Sequence, residues 1–254
     1  FSSIKVFADE NVSASEETEA DVEEILVTAN RTEQSISDVS QAVQALSGDD
    51  LQDLQITDFE QMIDLIPGAV QNSSISQGSN VYSIRGVASA ETDGDATIGY
   101  YLDNFAFSLP GRPYAPVTDI YDTERVEVLR GPSGTLYGLG SLGGTIKVIT
   151  KDPVIGEFEG SFKATLADID DGDSSHTGDL MLNIPLSENA ALRGVLSIKD
   201  IGGWAEIIPS NQTNGNPYDG ITGRLKLLVE PSEDLSIKLT YWHQDSEQKF
   251  ANRL

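Results

Sequence analysis

Cysteine is absent from the 254 residues, which removes disulfide frameworks and thiolate chemistry and leaves the redox compartment open. Histidine occurs only as His176 and His243. Two such distant imidazoles make no metal site, and a Ser-His-Asp arrangement has little to work with. Apolar residues nowhere run for the roughly 18 positions that a membrane-spanning helix needs. Basic residues are scarce: 16 Lys and Arg face 41 Asp and Glu, a net charge of −25. Such a chain repels phosphates, so a nucleic-acid partner is excluded. A membrane is not excluded, because a β-barrel keeps its charges in the lumen and loops. The chain opens at Phe1 without a start Met or a signal-peptide pattern, which reads as a processed form or a fragment.

What is present changes character along the chain. Residues 1–24 carry eight acids and a single base, Lys5, too polar to offset the entropy of ordering, and are expected to form a mobile tail. The tail runs into Glu24-Ile25-Leu26-Val27-Thr28-Ala29, which reads as a strand waiting for a partner or, equally, as an ordinary edge strand. From 36 to about 150 the pattern is mixed α and β. Thr57 and Glu60 have capping-box spacing, and Phe59, Met62, Ile63 and Ile66 make one apolar helix face that Pro67-Gly68 stops. Strands are predicted at Val39–Leu46, Val81–Ile84, Thr97–Leu102, Arg125–Leu129 and Thr145–Thr150.

Beyond about 157 the period becomes two. Phe162, Ala164 and Leu166 alternate with Ser161, Lys163 and Thr165. Leu180, Leu182 and Ile184 alternate with Asp179, Met181 and Asn183, and three further segments follow the same rule, with Arg193, Lys199, Arg224, Lys226 and Lys238 on their polar phase. Five such segments are five strands with one apolar and one polar face. Long polar connections (168–175 and 201–219) alternate with short ones (186–189 and 231–234), the layout of an outer-membrane barrel. A soluble β-sandwich alternates too, and on pattern alone the two readings stand level.

The glycine-dense stretch 131–144 invites enzymatic readings. Gly138, Gly140 and Gly143 fit the spacing of a dinucleotide fingerprint, but the β-branched run Thr145–Thr150 follows where a helix must open. A phosphate loop needs Lys where Gly144 stands, and a nucleophile elbow at Ser133 needs glycine where Thr135 stands. The acidic run from Asp168 to Asp173 misplaces its glycine for a calcium hand. No catalytic residue, metal site or cofactor is expected, and the chain is read as no enzyme.

These residues carry a resemblance instead. Asp122 to Pro132, Thr135-Leu136-Tyr137-Gly138 and Gly143 to Thr150 closely resemble the end of the plug domain of TonB-dependent receptors. Tyr82 to Val87 resembles that family's Arg-Gly segment, and Tyr101-Leu102-Asp103-Asn104 its following hairpin, with Asn104 where glycine is usual. Glu23 to Ala29 is similar to the family's TonB box and the start of the plug. Leu139-Gly140 departs from the basic and amide residues of many relatives. The resemblance places the alternating strands where the family's barrel begins, which decides against the sandwich.

It implies an α+β plug domain, a small mixed sheet with short helices, followed by antiparallel transmembrane β-barrel strands that are incomplete in this chain. The expected parts are a mobile acidic tail with the TonB box over 1–35, the plug over 36–152 and about five barrel strands over 153–254. The implied activity is TonB-dependent uptake of a scarce nutrient, a ferric siderophore first, across the bacterial outer membrane. Vitamin B12, haem or oligosaccharide is the alternative within the family, and a surface adhesin the alternative outside it. The implied partners are TonB, outer-membrane lipid and the nutrient. Glu24, Ile25, Leu26, Val27, Thr28 and Ala29 are the expected TonB contact, by strand pairing. Arg85, Gly86, Arg130, Gly131, Gly138, Gly143 and Gly144 are the expected plug–barrel contacts. The two arginines are expected either to meet carboxylates on the barrel or to pair locally with Glu124 or Glu127. Phe105, Phe107 and Tyr114 are the expected ligand-facing aromatics, with packing against the barrel wall as the other reading.

Overall fold

The computed structural model describes residues 26–28, 32, 34–56, 59–74, 80–88, 95–107, 119–138, 140–168, 170, 172–207 and 212–248. The N-terminal unit begins with β1 (Leu26–Val27) and β2 (Gln34–Ser35), then β3 (Ala42–Ser47), α1 (Gly48–Asp53) and α2 (Phe59–Asp64). It continues through β4 (Ala69–Ser74), β5 (Asn80–Ile84), β6 (Val87–Ala88), β7 (Ile98–Leu102) and β8 (Phe105–Ala106). It closes with β9 (Thr123–Arg130), α3 (Gly134–Tyr137) and β10 (Gly144–Thr150).

The central sheet has the order β3-β9-β10-β7-β8, with β10 antiparallel to β9 and parallel to β7. Its two faces have different jobs. Ile98, Tyr100, Val126, Val128, Ile146 and Val148 point one way and pack with the α2 stripe Phe59, Met62, Ile63 and Ile66. The 3.6-residue spacing of that stripe matches a helix laid on a sheet, and the helix face read from sequence is the core. Glu127, Leu129 and Lys147 belong to the opposite phase of the strands.

The predicted strands are found as β3, β5, β7, β9 and β10, and no helix opens after Gly144. Two α-helices differ from expectation: α3 lies within the glycine-dense stretch, and α1 follows directly on β3. Ser47 accepts from the Asp50 backbone N–H and Asp50 accepts from the Ser47 backbone N–H, a reciprocal cap. The capping box expected at Thr57 lies outside the described residues.

The remainder is an antiparallel meander, β11 (Glu159–Asp168), β12 (Ser174–Ser187), β13 (Ala190–Ile201), then a small hairpin, β14 (Ala205–Ile207) and β15 (Gln212–Gly215), then β16 (Tyr218–Ser232) and β17 (Leu235–Gln248). Two-residue turns at Glu188-Asn189 and Glu233-Asp234 alternate with longer connections that begin after Asp168 and Ile201.

This sheet is inside out relative to a soluble protein. Asn183 and Arg193 are 0% and 3% exposed, while Leu182 and Leu196 on the same two strands are 37% and 38% exposed. Met181, Ser197, Arg224 and Lys226 are buried on the same side as Asn183, against the N-terminal unit; Phe162, Leu166, Leu225, Leu239 and Tyr241 face outward. A polar inner face and an apolar outer face is the arrangement of a barrel wall in lipid. No helix among the described residues is long and apolar enough to cross a membrane.

Candidate functional site: the wall seam and the N-terminal strand

Two clusters tie the N-terminal unit to its surroundings. The first is an ionic seam with the wall. Asp122 sits in the turn before β9 with φ of 57°, a left-handed conformation that Asp tolerates better than most side chains. Its carboxylate takes Arg193 Nε at 2.9 Å and Nη2 at 2.5 Å, and Arg224 Nη2 at 3.1 Å. The Asp122 carbonyl also accepts from Arg224 Nη2 at 3.0 Å, and Arg193 Nη1 reaches Glu159 on β11 at 3.0 Å. The side chains of Asp122, Arg193 and Arg224 are each more than nine-tenths buried. Arg193 on β13 stands opposite Lys226 on β16, and Arg224 lies diagonally across on the same face, so both guanidiniums converge on one carboxylate.

At the position facing Arg193, Lys226 lies 3.2 Å from Asp103, donates to Asp152 Oδ1 at 3.0 Å and to the Thr150 carbonyl at 2.8 Å. Lys238 on β17 pairs with the other oxygen of Asp152. Asp103, also left-handed at φ 51°, caps the end of β10 by accepting from the Thr150 N–H at 2.9 Å. Burial alone would raise the Asp152 carboxyl, but Lys238 and Lys226 outweigh it and hold it below its ordinary value. Asn183 completes the seam. It accepts from the Val154 N–H and donates to the Val154 and Glu157 carbonyls, clasping the linker between the two units.

The seam is made by other residues than the two arginines singled out from the sequence. Asp103, Asp122 and Asp152 come from the N-terminal side, Glu159 and the four cations from the wall. Arg85 lies in an exposed turn with φ of 53°, and Arg130 reaches the Pro67 carbonyl at 3.4 Å. The local arginine contact with Glu124 and Glu127 exists, but Arg125 makes it. The glycines turn inward too. A Cβ on Gly144 would stand 2.5 Å from the Leu129 carbonyl oxygen, and one on Gly143 3.0 Å from Val87. Close packing within the unit therefore demands glycine there. A Cβ on Gly86, Gly131 or Gly138 would meet open space, although all three have positive φ.

The second cluster holds the N-terminal strand. β1 pairs antiparallel with β2 through Leu26 opposite Ser35 and Val27 opposite Gln34. Val27 is fully buried against Leu129 and Tyr137, while Leu26 is exposed. The Thr28 N–H donates to Glu127 Oε1 at 2.8 Å, and its hydroxyl lies 3.1 Å from Oε2. Lys147 Nζ donates to that hydroxyl at 2.6 Å, and the Tyr137 hydroxyl donates to the Thr28 carbonyl at 3.1 Å. Glu24, Ile25 and Ala29 lie outside the described residues. Of the aromatics, Phe105 is exposed, Phe107 packs edge-on to Trp242 of the wall at 5.1 Å, and Tyr114 lies outside the described residues.

Known proteins share this architecture. Residues 35–145 match the model of the TonB-dependent Receptor Plug Domain. The metal-pseudopaline receptor CntO of Pseudomonas aeruginosa is 31% identical over 181 residues, 70% of this chain and 23% of its own. The ferric aerobactin receptor of Klebsiella pneumoniae is 25% identical over 259 residues, 93% of this chain and 32% of its own. Among solved structures, the pyoverdine outer membrane receptor FpvA of Pseudomonas aeruginosa, bound to pyoverdine, superposes with a TM-score of 0.71 at 21% identity, over 89% of this chain and 31% of that one. The chain belongs to the TonB-dependent receptors of the bacterial outer membrane: the N-terminal unit is a plug and the meander is part of the barrel wall. It spans 23–32% of the length of these two curated relatives.

Proposed function

We propose that the receptor takes up a ferric siderophore, or a closely similar metal chelate, across the outer membrane by TonB-coupled opening of the plug. The observation that carries the cargo is the reach of the likeness. CntO and the aerobactin receptor are both named for metal chelates, and their matches run to 181 and 259 residues, against 148 for the vitamin B12 transporter BtuB of Photobacterium profundum. The outer-membrane position requires an external energy source, and β1 supplies a handle for it at the N-terminal edge of the plug. No bond of the cargo is made or broken in this reading. Selection comes from the plug apex and the wall loops, with the exposed Phe105 as the described aromatic free to meet cargo.

The test is uptake of radiolabelled iron presented on a panel of hydroxamate, catecholate and carboxylate chelators, beside labelled vitamin B12 and haem. The complete receptor is expressed in cells stripped of their own receptors. Energy-dependent accumulation of iron from one chelator class is expected. Accumulation of vitamin B12 or haem alone would replace the cargo, and surface binding without accumulation of any of these would leave an adhesin.

A further inference from the structure

Asn183, on the inner face of β12, is fully buried, and its three bonds all go to the linker that joins plug and wall. Its Oδ1 accepts from the Val154 N–H at 3.0 Å, and its Nδ2 donates to the carbonyls of Val154 at 2.9 Å and Glu157 at 2.7 Å. Both N–H donors of the amide and its oxygen are thus spent on main chain. The residues so held form a turn cornered at Ile155 and Gly156. Gly156 has a φ of 82°, which glycine adopts without strain and other residues rarely do. Buried Pro153 fixes the backbone just ahead of the turn. The Val154 and Phe158 side chains stay exposed, so Asn183 holds the linker by its backbone shape.

The clasp differs from the rest of the seam in charge and in position. Asp103, Asp122 and Asp152 make ionic contacts with the wall. The clasp is neutral, although the residues opposite Asn183 in register are Glu159 on β11 and Arg193 on β13. Those two pair with each other at 3.0 Å, which leaves the amide to the linker. In chain order the clasp comes last. A pull on the N-terminal edge reaches β10 first, then Asp152 with Lys226 and Lys238, and then the turn. The Asp152 and Lys238 side chains are 39% and 57% exposed, so water readily replaces that pair. Releasing the turn instead strips a fully buried amide of its partners, which is the costlier step.

We propose that Asn183 is a positioning residue for plug opening: it makes residues 154–157 a fixed part of the wall, so a drawn plug parts from the wall at Pro153 and no later. Glu159 then stays beside Arg193 after the plug has left. This rests on the reading that the plug is drawn from its N-terminal edge, but the fixed point is measurable without TonB or cargo.

The complete receptor in a lipid bilayer is pulled by a handle joined ahead of Leu26, and force is recorded against released contour length. The wild-type record should stop at the length that ends at Pro153, before any wall strand comes out. Asn183→Leu keeps the branched shape and removes the polar atoms of the side chain. It should move the stop outward by residues 154–158, roughly 17 Å of extended chain. Gly156→Val should give the same displacement from the linker side, because its Cβ meets no neighbour and only the turn is strained. This second variant leaves the wall untouched, so it carries the test if Asn183→Leu does not assemble. Asp152→Asn should lower the force before the stop and leave the stop in place. A wild-type stop beyond Phe158, an unmoved stop in either turn variant, or a stop displaced by Asp152→Asn would overturn the clasp. A stop at Pro153 together with failed iron uptake on every chelator would leave the clasp standing and sink the transport reading instead.

Discussion

Arg193 of the wall grips Asp122 of the plug with two donors of one guanidinium, Nε at 2.9 Å and Nη2 at 2.5 Å. The geometry is the bidentate fork that makes arginine the preferred partner of a buried carboxylate. Arg224 adds a third bond from the adjacent strand. One plug carboxylate thus bridges two wall cations, of which Arg193 has a second partner in Glu159 of the wall.

Asp122→Asn keeps the shape and removes the charge, taking from buried Arg224 its bonded carboxylate and leaving Arg193 with Glu159 alone. Breaking a buried pair on one side costs about 3–5 kcal/mol. The expected outcome is a lower melting temperature of the purified receptor and higher passive entry of large antibiotics in cells. Arg130→Ala, in contrast, removes one long bond to a carbonyl and should cost about 1 kcal/mol or less. If Arg130→Ala proves the more damaging change, the Asp122 seam is not what seats the plug.

Acid should loosen the linker end of the seam through Asp152. Its carboxyl is held below the ordinary range, so it binds a proton more readily unfolded than folded. The stability it contributes is therefore present above the unfolded value, near 3.9 for an unperturbed Asp. It is lost as pH falls through the depressed value. Wild type should accordingly be more stable than Asp152→Asn at neutral pH, with the two melting curves converging in acid. A constant gap down to the lowest pH would assign the effect to shape and not to charge.

Leu26→Pro addresses coupling. Proline removes a backbone donor and resists incorporation into a paired strand. Binding of the iron chelate at the cell surface should persist while accumulation disappears. Full uptake by this variant would show that energy enters the plug elsewhere.

Gly144→Ala tests the inward role of the glycines. The new Cβ meets a backbone oxygen, which cannot step aside as a side-chain tip can. A loss of about 1–3 kcal/mol is expected from the forced backbone shift, read as a lower melting temperature. Gly138→Ala meets no neighbour and is penalised only by its positive φ, so it should be the milder change.

Much of this was legible in the residues. The period-two segments marked out the wall and its two faces, and the spacing of Phe59, Met62, Ile63 and Ile66 marked the helix that covers the sheet. Arg193, Arg224, Lys226 and Lys238 stood on the polar phase of their strands, which announced four cations needing partners. What one-dimensional spacing does not contain is the pairing: Asp122 lies 71 residues before Arg193 and 102 before Arg224. Among 41 acids in a chain of −25, nothing local distinguishes Asp122 or Asp103. The left-handed turns that aim them are set by tertiary context. The Thr28 socket is hidden for the same reason, since Glu127 and Lys147 become neighbours only when β9 and β10 align. α1 was missed because its Ser47 cap also ends a strand, and a short polar helix of six residues carries no apolar stripe.

The sign of the seam has a consequence for ion flow. With the plug in place, Arg193, Arg224, Lys226 and Lys238 are quenched by its carboxylates. Withdraw Asp103, Asp122 and Asp152, and this stretch of the lumen becomes a basic stripe along three neighbouring strands in which only Arg193 keeps a bonded carboxylate, Glu159, among the described residues. Such a stripe concentrates anions over several ångströms of water. A channel that opens beside it would favour negatively charged solutes over cations, so single-channel currents of a plug-deleted receptor should reverse at potentials displaced toward the chloride equilibrium.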